Sequence, residues 1–174
     1  GEVCQKSSHL FRFAKGLYLS IEDKGHVSEI LENLPQEAVD MIVVTDGQRI
    51  LGLGDLGING MGIPVGKLAL YTACAGVDPR RTLPVILDVG TNTERYLNDP
   101  LYLGHKHPRV SGQEYDDFIE EFFQSVYKKW PKCVVQFEDF GNNHAFDLLA
   151  RYRSRYCCYN DDIQGTASIV VSGF

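Results

Sequence analysis

The sequence predicts an α/β fold built on a parallel sheet. Short, apolar and β-branched runs recur at residues 41–47 (MIVVTDG), 83–90 (LPVILDVG) and 133–141 (CVVQFEDFG), and each has the length of a buried strand. Helical patterns separate them, most clearly the acidic, amphipathic stretch 113–129. Strands that alternate with helices are typical of a parallel sheet with helices packed on its faces.

The remaining elements complete this pattern. A short strand-like run ends at Ser20, and a helix from Ser20 to Leu34 stops before Pro35. A second helix spans 64–75 and closes at Gly76, since glycine commonly ends helices. A third helix covers 145–156, a short strand follows at 157–162, and a last helix opens near Gln164.

Composition excludes several functional classes. The 174 residues are 44% hydrophobic and 23% charged, which is typical of globular proteins and not of disordered chains. No apolar run approaches the roughly 20 residues of a membrane-spanning helix. The net charge of −6, without a cluster of basic residues, argues against nucleic acid or an anionic membrane as partner. Five cysteines in apolar stretches predict reduced core thiols and an intracellular protein, cytoplasmic or mitochondrial.

Acidic residues mark the ends of the predicted strands. They are Asp46, Asp88, the pair Glu138–Asp139 and the pair Asp161–Asp162. Ligands of open parallel sheets bind beyond the carboxyl ends of the strands, and clustered carboxylates suit Mg²⁺ or Mn²⁺. The alternative is that Asp162 and Asn142 cap helices while the other carboxylates are solvated. The spacing alone leaves both interpretations open.

Three further motifs have simpler interpretations beside the functional one. The stretch GLGDLG (52–57) has dinucleotide-binding spacing, but INGMGIP delays the helix, so we favour a closely packed glycine turn. Lys67 is either a solvated lysine or a partly buried base with a lowered pKa. His105 and His107 are close enough in sequence to bind a metal, but their polar setting favours solvated side chains.

Taken together, these motifs resemble the malic enzymes, with the animal- and plant-type enzymes nearest. The resemblance runs through VVTDGQRILGLGDLGINGMGIPVGKLALYTACAG, LPVILDVGTN, DPLYLG, GQEYDDFIEEF, VVQFEDF and YNDDIQGTAS, in the family's order. It implies an internal fragment, with residues 1–162 forming an incomplete N-terminal domain. Residues 163–174 would begin a Rossmann-type NAD(P)-binding domain.

The resemblance also implies an activity. Malic enzymes convert (S)-malate to pyruvate and CO₂ while reducing NAD or NADP, and they need Mn²⁺ or Mg²⁺. They form homo-oligomers, so a dimer or tetramer is expected. The family's catalytic tyrosine and its dinucleotide fingerprint would lie outside this chain, which makes GLGDLG a look-alike. The chain alone is therefore not expected to turn over malate.

The family's site residues carry over by motif. Three carboxylates would bind the metal: Glu138, Asp139 and Asp162. Lys67 would be the general base with Asp161 beside it, and Arg49 would contact substrate and cofactor, as would Asp162. Gln48, where Glu is usual, and the Asn–His order of GNNHAF are modest departures.

Two other functions remain open at this point. A metal-dependent decarboxylase of oxaloacetate or another 2-oxo acid would need the cation but no nicotinamide. A non-catalytic dinucleotide-binding or assembly module would instead use GLGDLG.

Overall fold

The computed structural model describes residues 16–173, which contain a five-stranded, fully parallel sheet. The strands are β1 (Leu17–Ser20), β2 (Met41–Thr45), β3 (Thr82–Asp88), β4 (Val134–Phe137) and β5 (Cys158–Asn160). Their order across the sheet is β1-β3-β2-β4-β5. The predicted α/β fold with a parallel sheet is confirmed.

Six α-helices connect and flank these strands within residues 16–173. They are α1 (Val27–Glu32), α2 (Gly62–Ala75), α3 (Glu94–Leu97), α4 (Gln113–Lys129), α5 (Asn142–Tyr152) and α6 (Thr166–Ser172). Short 3-10 turns at Ile21–Asp23, Gly57–Met61 and Pro79–Arg81 and a π-helical turn at Asp161–Gly165 complete the set.

Several predicted boundaries are wrong for local reasons. The helix predicted from Ser20 to Leu34 is divided, because Gly25 has a φ of 93° between the 3-10 turn and α1. The strand predicted over 133–141 ends at Phe137, since Asp139 leaves the extended conformation with a φ of 53°. α5 begins three residues before its predicted start at Ala145 and ends at Tyr152, before Tyr156.

The sheet separates two layers of helices. Alternate strand residues, among them Val44, Val85 and Val135, share one core with α1, α4 and α5. The opposite face carries Val43, Ile86 and Gln136, and α2 packs on β2 and β3 with Leu68 buried. This alternation follows from the two-residue period of a strand. Gln136 is thus a polar residue on a buried face of the sheet.

The cysteine prediction is only partly correct. Cys133 is buried and Cys158 is half-buried, as expected of core thiols. Cys74, in the last turn of α2, and Cys157, just before β5, are exposed. Cys4 lies outside the described residues. Among residues 16–173, no helix has the length and apolar character needed to cross a membrane.

Candidate metal and substrate site

Three carboxylates converge beyond the carboxyl ends of β4 and β5. Glu138 and Asp139 follow β4 directly and are 5% and 4% exposed. Asp162 lies in the π-helical turn after β5 and is exposed. One oxygen from each of the three lies within 4.8 Å of the others. An all-oxygen set of this size suits a hard divalent cation such as Mg²⁺ or Mn²⁺.

The backbone around Asp139 holds this cluster together. Asp139 is the one non-glycine residue between positions 16 and 173 with a positive φ, 53°. Its N–H donates to Asp162 Oδ2 at 2.8 Å, and its carbonyl accepts from the Arg49 N–H at 3.1 Å. A left-handed conformation costs a non-glycine residue about 1–3 kcal/mol and persists where surrounding contacts impose it. These two bonds are such contacts.

Burial and the neighbouring negative charges both oppose ionisation of the buried carboxylates. Burial, and then the charges of Asp162 and Glu138, raise the pKa of Asp139 to about 7. Burial also raises the pKa of Glu138, although Lys67 opposes that rise. Carboxylates with raised pKa values are poorly compensated when ionised. A divalent cation would supply the missing compensation, so these residues fit the metal that the sequence predicts.

Lys67, on the second turn of α2, bridges two of the acidic residues. Its Nζ lies 2.9 Å from Glu138 Oε1 and 2.8 Å from Asp161 Oδ2. Burial alone would lower the pKa of Lys67, but the hydrogen bonds and charges of Asp161 and Glu138 outweigh it and raise the pKa. Neither of the two interpretations left open describes Lys67, because it is half-buried and its pKa is raised rather than lowered. The family resemblance placed Asp161 beside Lys67, whereas the contact with Glu138 was not predicted.

Arg49 reaches the same region from the loop after β2. Its guanidinium donates to the side-chain oxygen of Asn142, the first residue of α5. Arg49, Asp139 and Asp162 line a cleft of about 500 Å³ together with apolar residues such as Phe146. The cleft thus combines one cation with two of the three clustered carboxylates. All six predicted site residues lie in this region.

Two of the acidic strand ends have structural roles instead. Asp46 accepts from the Gln48 N–H at 3.0 Å and from the Tyr115 hydroxyl at 3.2 Å. Asp88 accepts from the Gly90 N–H at 3.2 Å and the His105 N–H at 2.6 Å. Both carboxylates stabilise the turns that follow their strands, so they do not join the metal cluster.

Asp162 and Asn142 do not cap helices, which was the alternative to a metal site. The N-cap residues are Gly141 for α5 and Asn160 for the π-helical turn. Asn142 instead holds Arg49, and Asp162 holds the Asp139 backbone. These side chains are thus engaged with site residues rather than with helix termini.

The two histidines differ from the solvated pair that we expected. His107 is exposed, but the His105 side chain is only 14% exposed. The two rings lie 4.5 Å apart between centroids, and His105 Nδ1 is 3.4 Å from Glu22 Oε1. The polar sequence around His105 gave no indication of this ring contact.

The glycine-rich stretch GLGDLG (52–57) forms a turn that side-chain hydrogen bonds hold in place. Asp55 accepts from the Gly57 N–H at 2.9 Å and the Asn92 N–H at 2.8 Å, and Arg109 donates to both of its oxygens at 2.9 Å. Gly57 has a φ of 52°, and a Cβ there would collide with the Tyr102 hydroxyl. This confirms the expected close packing. The following helix begins only at Gly62.

Sequence reasoning missed three polar residues around the site. Arg109 holds both ends of the loop that carries Arg49, through Asp55 and the carbonyl of Asp46. Gln136 and Tyr159 lie next to Glu138 through a chain of hydrogen bonds. A glutamine inside the apolar run VVQF was the available signal, because strand interiors on a buried face rarely hold an amide.

A family model described as the malic enzyme N-terminal domain matches residues 1–153. The chain belongs to the malic enzyme family. It is 59% identical over 174 residues to an NADP-dependent malic enzyme of Dictyostelium discoideum and 56% identical over 171 residues to an NAD-dependent malic enzyme of Photobacterium profundum. These alignments cover 100% and 98% of the chain but only 32% and 31% of the relatives. The chain thus spans about a third of the length of these malic enzymes.

Solved malic enzymes share the fold. The malic enzyme of Pyrococcus horikoshii aligns with a TM-score of 0.53 and 25% identity, covering 87% of this chain and 29% of that one. An NAD-dependent malic enzyme of Thermotoga maritima aligns with a TM-score of 0.51 over 86% of this chain, at 22% identity. The parallel sheet is therefore that of a malic enzyme N-terminal domain.

Proposed function

We propose that this chain is part of a longer malic enzyme that converts (S)-malate to pyruvate and CO₂ while reducing NAD or NADP. The observation that carries the proposal is the position of Lys67, whose Nζ lies 2.9 Å from Glu138, a member of the carboxylate cluster, and 2.8 Å from Asp161. A cation site next to a potential base is what oxidation of a 2-hydroxy acid requires. Residues 1–162 belong to the substrate and metal domain, and residues 163–174 begin the cofactor domain.

Glu138, Asp139 and Asp162 are the residues that would hold Mn²⁺ or Mg²⁺. When bound, the cation supplies positive charge that stabilises oxyanions on the substrate, both during hydroxyl oxidation and during loss of CO₂. The strained backbone of Asp139 and the bond to Asp162 hold two of these carboxylates in place before anything binds. Such preorganisation lowers the cost of forming the charged site.

Lys67 accepts the proton of the substrate hydroxyl in this proposal. The amine is protonated while Glu138 and Asp161 are both charged beside it. If a cation compensated the charge of Glu138, the pKa of Lys67 would fall, because that nearby negative charge helps to raise it. The amine could then lose its proton and act as a base. Asp161 holds the amine beside Glu138 through its 2.8 Å contact.

Arg49 binds a carboxylate of the substrate and also contacts the cofactor. Its loop enters the cleft beside Asp139, and a guanidinium recognises carboxylates better than an ammonium does. Asn142 orients the guanidinium from the start of α5. Asp162 contributes to the same subsite as well as to the metal.

The hydride acceptor is NAD or NADP, and both dependences occur in the names of relatives. We propose a homo-oligomer in an intracellular compartment, cytoplasmic or mitochondrial, as for the family. The relatives extend well beyond this chain, so residues 1–174 alone are expected to be inactive toward malate.

A second candidate is a metal-dependent decarboxylase of oxaloacetate or another 2-oxo acid. The observation that favours it is that the carboxylate cluster and Lys67 lie within this chain, whereas hydride transfer needs further residues. A dinucleotide-binding role for GLGDLG has less support, since Asp55 faces Arg109 and occupies the Gly57 amide.

The test uses the full-length enzyme with malate and either NAD or NADP, in Mn²⁺ and in EDTA. Malate-dependent reduction of one nucleotide, with pyruvate formed and EDTA abolishing both, would support the proposal. Decarboxylation of oxaloacetate without malate oxidation would favour the second candidate. Mn²⁺ binding with neither reaction would remove malate as the substrate.

A further inference from the structure

Gln136 is an unusual residue for its position in the sheet. It lies in the interior of β4 and is 0% exposed, on the face that α2 covers rather than in the apolar core below. An amide buried without partners loses its hydrogen bonds to water, so a buried glutamine requires specific hydrogen bonds. Both ends of this amide are in fact engaged.

The two ends of the Gln136 amide point to different partners. Its Nε2 donates to Glu138 Oε2 at 2.5 Å, and its Oε1 accepts from the Tyr159 hydroxyl at 2.7 Å. Tyr159 lies directly opposite Gln136 in the β4–β5 pairing, so the two side chains share a face. The ionised Glu138 carboxylate can only accept, so it takes the amide nitrogen, and the amide oxygen is then held by the Tyr159 hydroxyl.

The arrangement repeats over two levels of the sheet. Gln136 and Tyr159 form one polar pair, and two residues further along each chain Glu138 and Asp161 form the next, bridged by Lys67. α2 matches this spacing, because Tyr71 follows Lys67 by one turn and its hydroxyl lies 3.2 Å from that of Tyr159. Four helical residues rise about 6 Å and two strand residues about 6.6 Å.

This chain of bonds transmits orientation rather than protons. An amide cannot accept a proton at one end and release it at the other at ordinary pH, so Gln136 interrupts any proton path between Tyr159 and Glu138. Its effect on Glu138 is geometric. Oε2 is held by Gln136, while Oε1 is the oxygen that meets Lys67 at 2.9 Å.

We propose that Gln136, oriented by Tyr159, is a positioning residue that makes Glu138 a one-oxygen ligand and so selects small divalent cations over Ca²⁺. The inference rests on the proposed function, which places a metal at Glu138. Mg²⁺ and Mn²⁺ sites use single carboxylate oxygens, whereas Ca²⁺, with six to eight ligands, commonly takes both oxygens of a carboxylate. With Oε2 engaged by Gln136, Glu138 presents one oxygen.

The test compares Gln136→Met, which keeps side-chain length in a buried site but removes the amide, with Tyr159→Phe, which removes one hydroxyl. Tyr71→Phe is the matched control, because its hydroxyl reaches Tyr159 and not Gln136. The readouts are the Mn²⁺ dissociation constant of the full-length protein, from the electron paramagnetic resonance signal of free Mn²⁺, and the Ca²⁺ constant by competition. Neither readout requires turnover.

Gln136→Met should weaken Mn²⁺ binding about 10–100-fold, the usual effect of removing a group that orients a metal ligand. Ca²⁺ binding should weaken less, so the ratio of the Ca²⁺ to the Mn²⁺ constant should fall. Tyr159→Phe should change the ratio in the same direction by a smaller factor, and Tyr71→Phe should leave it unchanged. Unchanged Mn²⁺ and Ca²⁺ constants in folded Gln136→Met would overturn the proposal.

Malate oxidation by the unaltered enzyme distinguishes failure of the positioning role from failure of the proposed function. If it oxidises malate while Gln136→Met retains the original metal constants, the positioning role fails and the proposed function stands. If it binds Mn²⁺ without oxidising malate, and Gln136→Met still loses its preference for Mn²⁺ over Ca²⁺, the proposed function fails and the positioning role stands. Should Gln136→Met fail to fold, Tyr159→Phe decides, and an unchanged ratio there rejects the proposal.

Discussion

The backbone N–H of Asp139 donates to the Asp162 carboxylate at 2.8 Å, which joins the end of β4 to the turn after β5. Asp139 has a φ of 53° at this point, so the bond stabilises a conformation that the chain would not adopt by itself. One carboxylate thus has two tasks in the proposed site. It holds a neighbouring ligand in place and supplies an oxygen to the cation.

Asp162→Asn should separate those two tasks. The amide oxygen can still accept from Asp139, so the fold and its thermal unfolding should change little. The lost charge should weaken Mn²⁺ binding by at least about 100-fold, since altering a group behind a ligand already costs about 10–100-fold. Titration of Mn²⁺ followed by electron paramagnetic resonance measures this, with Asp147→Asn on the exposed side of α5 as the charge-matched control. Equal Mn²⁺ affinity in both variants would remove Asp162 from the ligand set.

Lys67→Met should distinguish the base from the ligands. Removing a general base typically lowers turnover by about 10²–10⁴-fold. Because the three carboxylates remain, the protein should still bind Mn²⁺. The measurements are kcat for malate oxidation and the Mn²⁺ dissociation constant, both on the full-length enzyme. Turnover within a few-fold of the unaltered enzyme would assign the proton transfer to another group.

The sequence located the strands of the sheet but not the residues at which they end. Apolar runs located β2, β3 and β4, because a parallel strand buried on both faces needs continuous apolar residues. It could not show where β4 stops, since the turn at Asp139 depends on bonds to Arg49 and Asp162 from other parts of the chain. Likewise, the division at Gly25 is a matter of backbone conformation in a helix-compatible sequence.

The site was predictable in its members but not in its electrostatics. Carboxylates at strand ends indicated the cluster, and the family resemblance selected Glu138, Asp139 and Asp162 from among them. The raised pKa of Lys67 depends on Asp161, which is 94 residues away in sequence. Composition around a lysine does not reveal partners distant in sequence, so the residues alone left the pKa of Lys67 open, and Asp161 was named only through the family resemblance.

Arg109→Met should destabilise the protein strongly. Arg109 is 6% exposed and lies 3.6 Å from the fully buried Asp46 carboxylate and 2.9 Å from Asp55. Removing the cation leaves two carboxylates unpaired, and breaking a buried pair in this way costs about 3–5 kcal/mol. Urea denaturation measures the change, with the exposed Arg80→Met as control. An unfolding midpoint equal to that of the control would mean that Arg109 does not stabilise the protein through Asp46 and Asp55.

The ion pair between Arg109 and Asp55 also predicts a pH dependence of stability. Burial would raise the pKa of Asp55, but the hydrogen bond from Arg109 and the amides of Asn92 and Gly57 outweigh it and lower the pKa. Folded protein therefore binds fewer protons here than unfolded protein. The resulting stability is complete above the ordinary pKa of about 3.9 and is lost as the pH falls through the lower folded value.

Asp55→Asn gives the measurable form of this dependence. The difference in unfolding free energy between the unaltered protein and Asp55→Asn should be constant above about pH 5 and should narrow as the pH falls below about 4. Urea denaturation at a series of pH values provides the comparison, with Asp147→Asn as the control. A difference that grew on acidification would mean that the pKa of Asp55 is raised by folding.

Gly165→Ala should disturb the site with little effect on stability. Gly165 has a helical φ of −64°, so alanine fits its backbone, but a Cβ there would collide with the Asp161 carboxylate. The end of that side chain can move, and it is the group that meets Lys67 at 2.8 Å. A small displacement at a catalytic group can cost up to about 100-fold in rate, so kcat for malate should fall while the fold persists.

Gly66→Ala is the matched substitution for that experiment. Gly66 lies inside α2, and a Cβ there meets nothing within 4 Å. Alanine should therefore stabilise the helix by about 0.5–1 kcal/mol, because glycine loses more backbone entropy on folding. Denaturation and kcat are measured for both variants. If Gly165→Ala kept full turnover, the position of Asp161 beside Lys67 would not matter for proton transfer, and its catalytic role would be wrong.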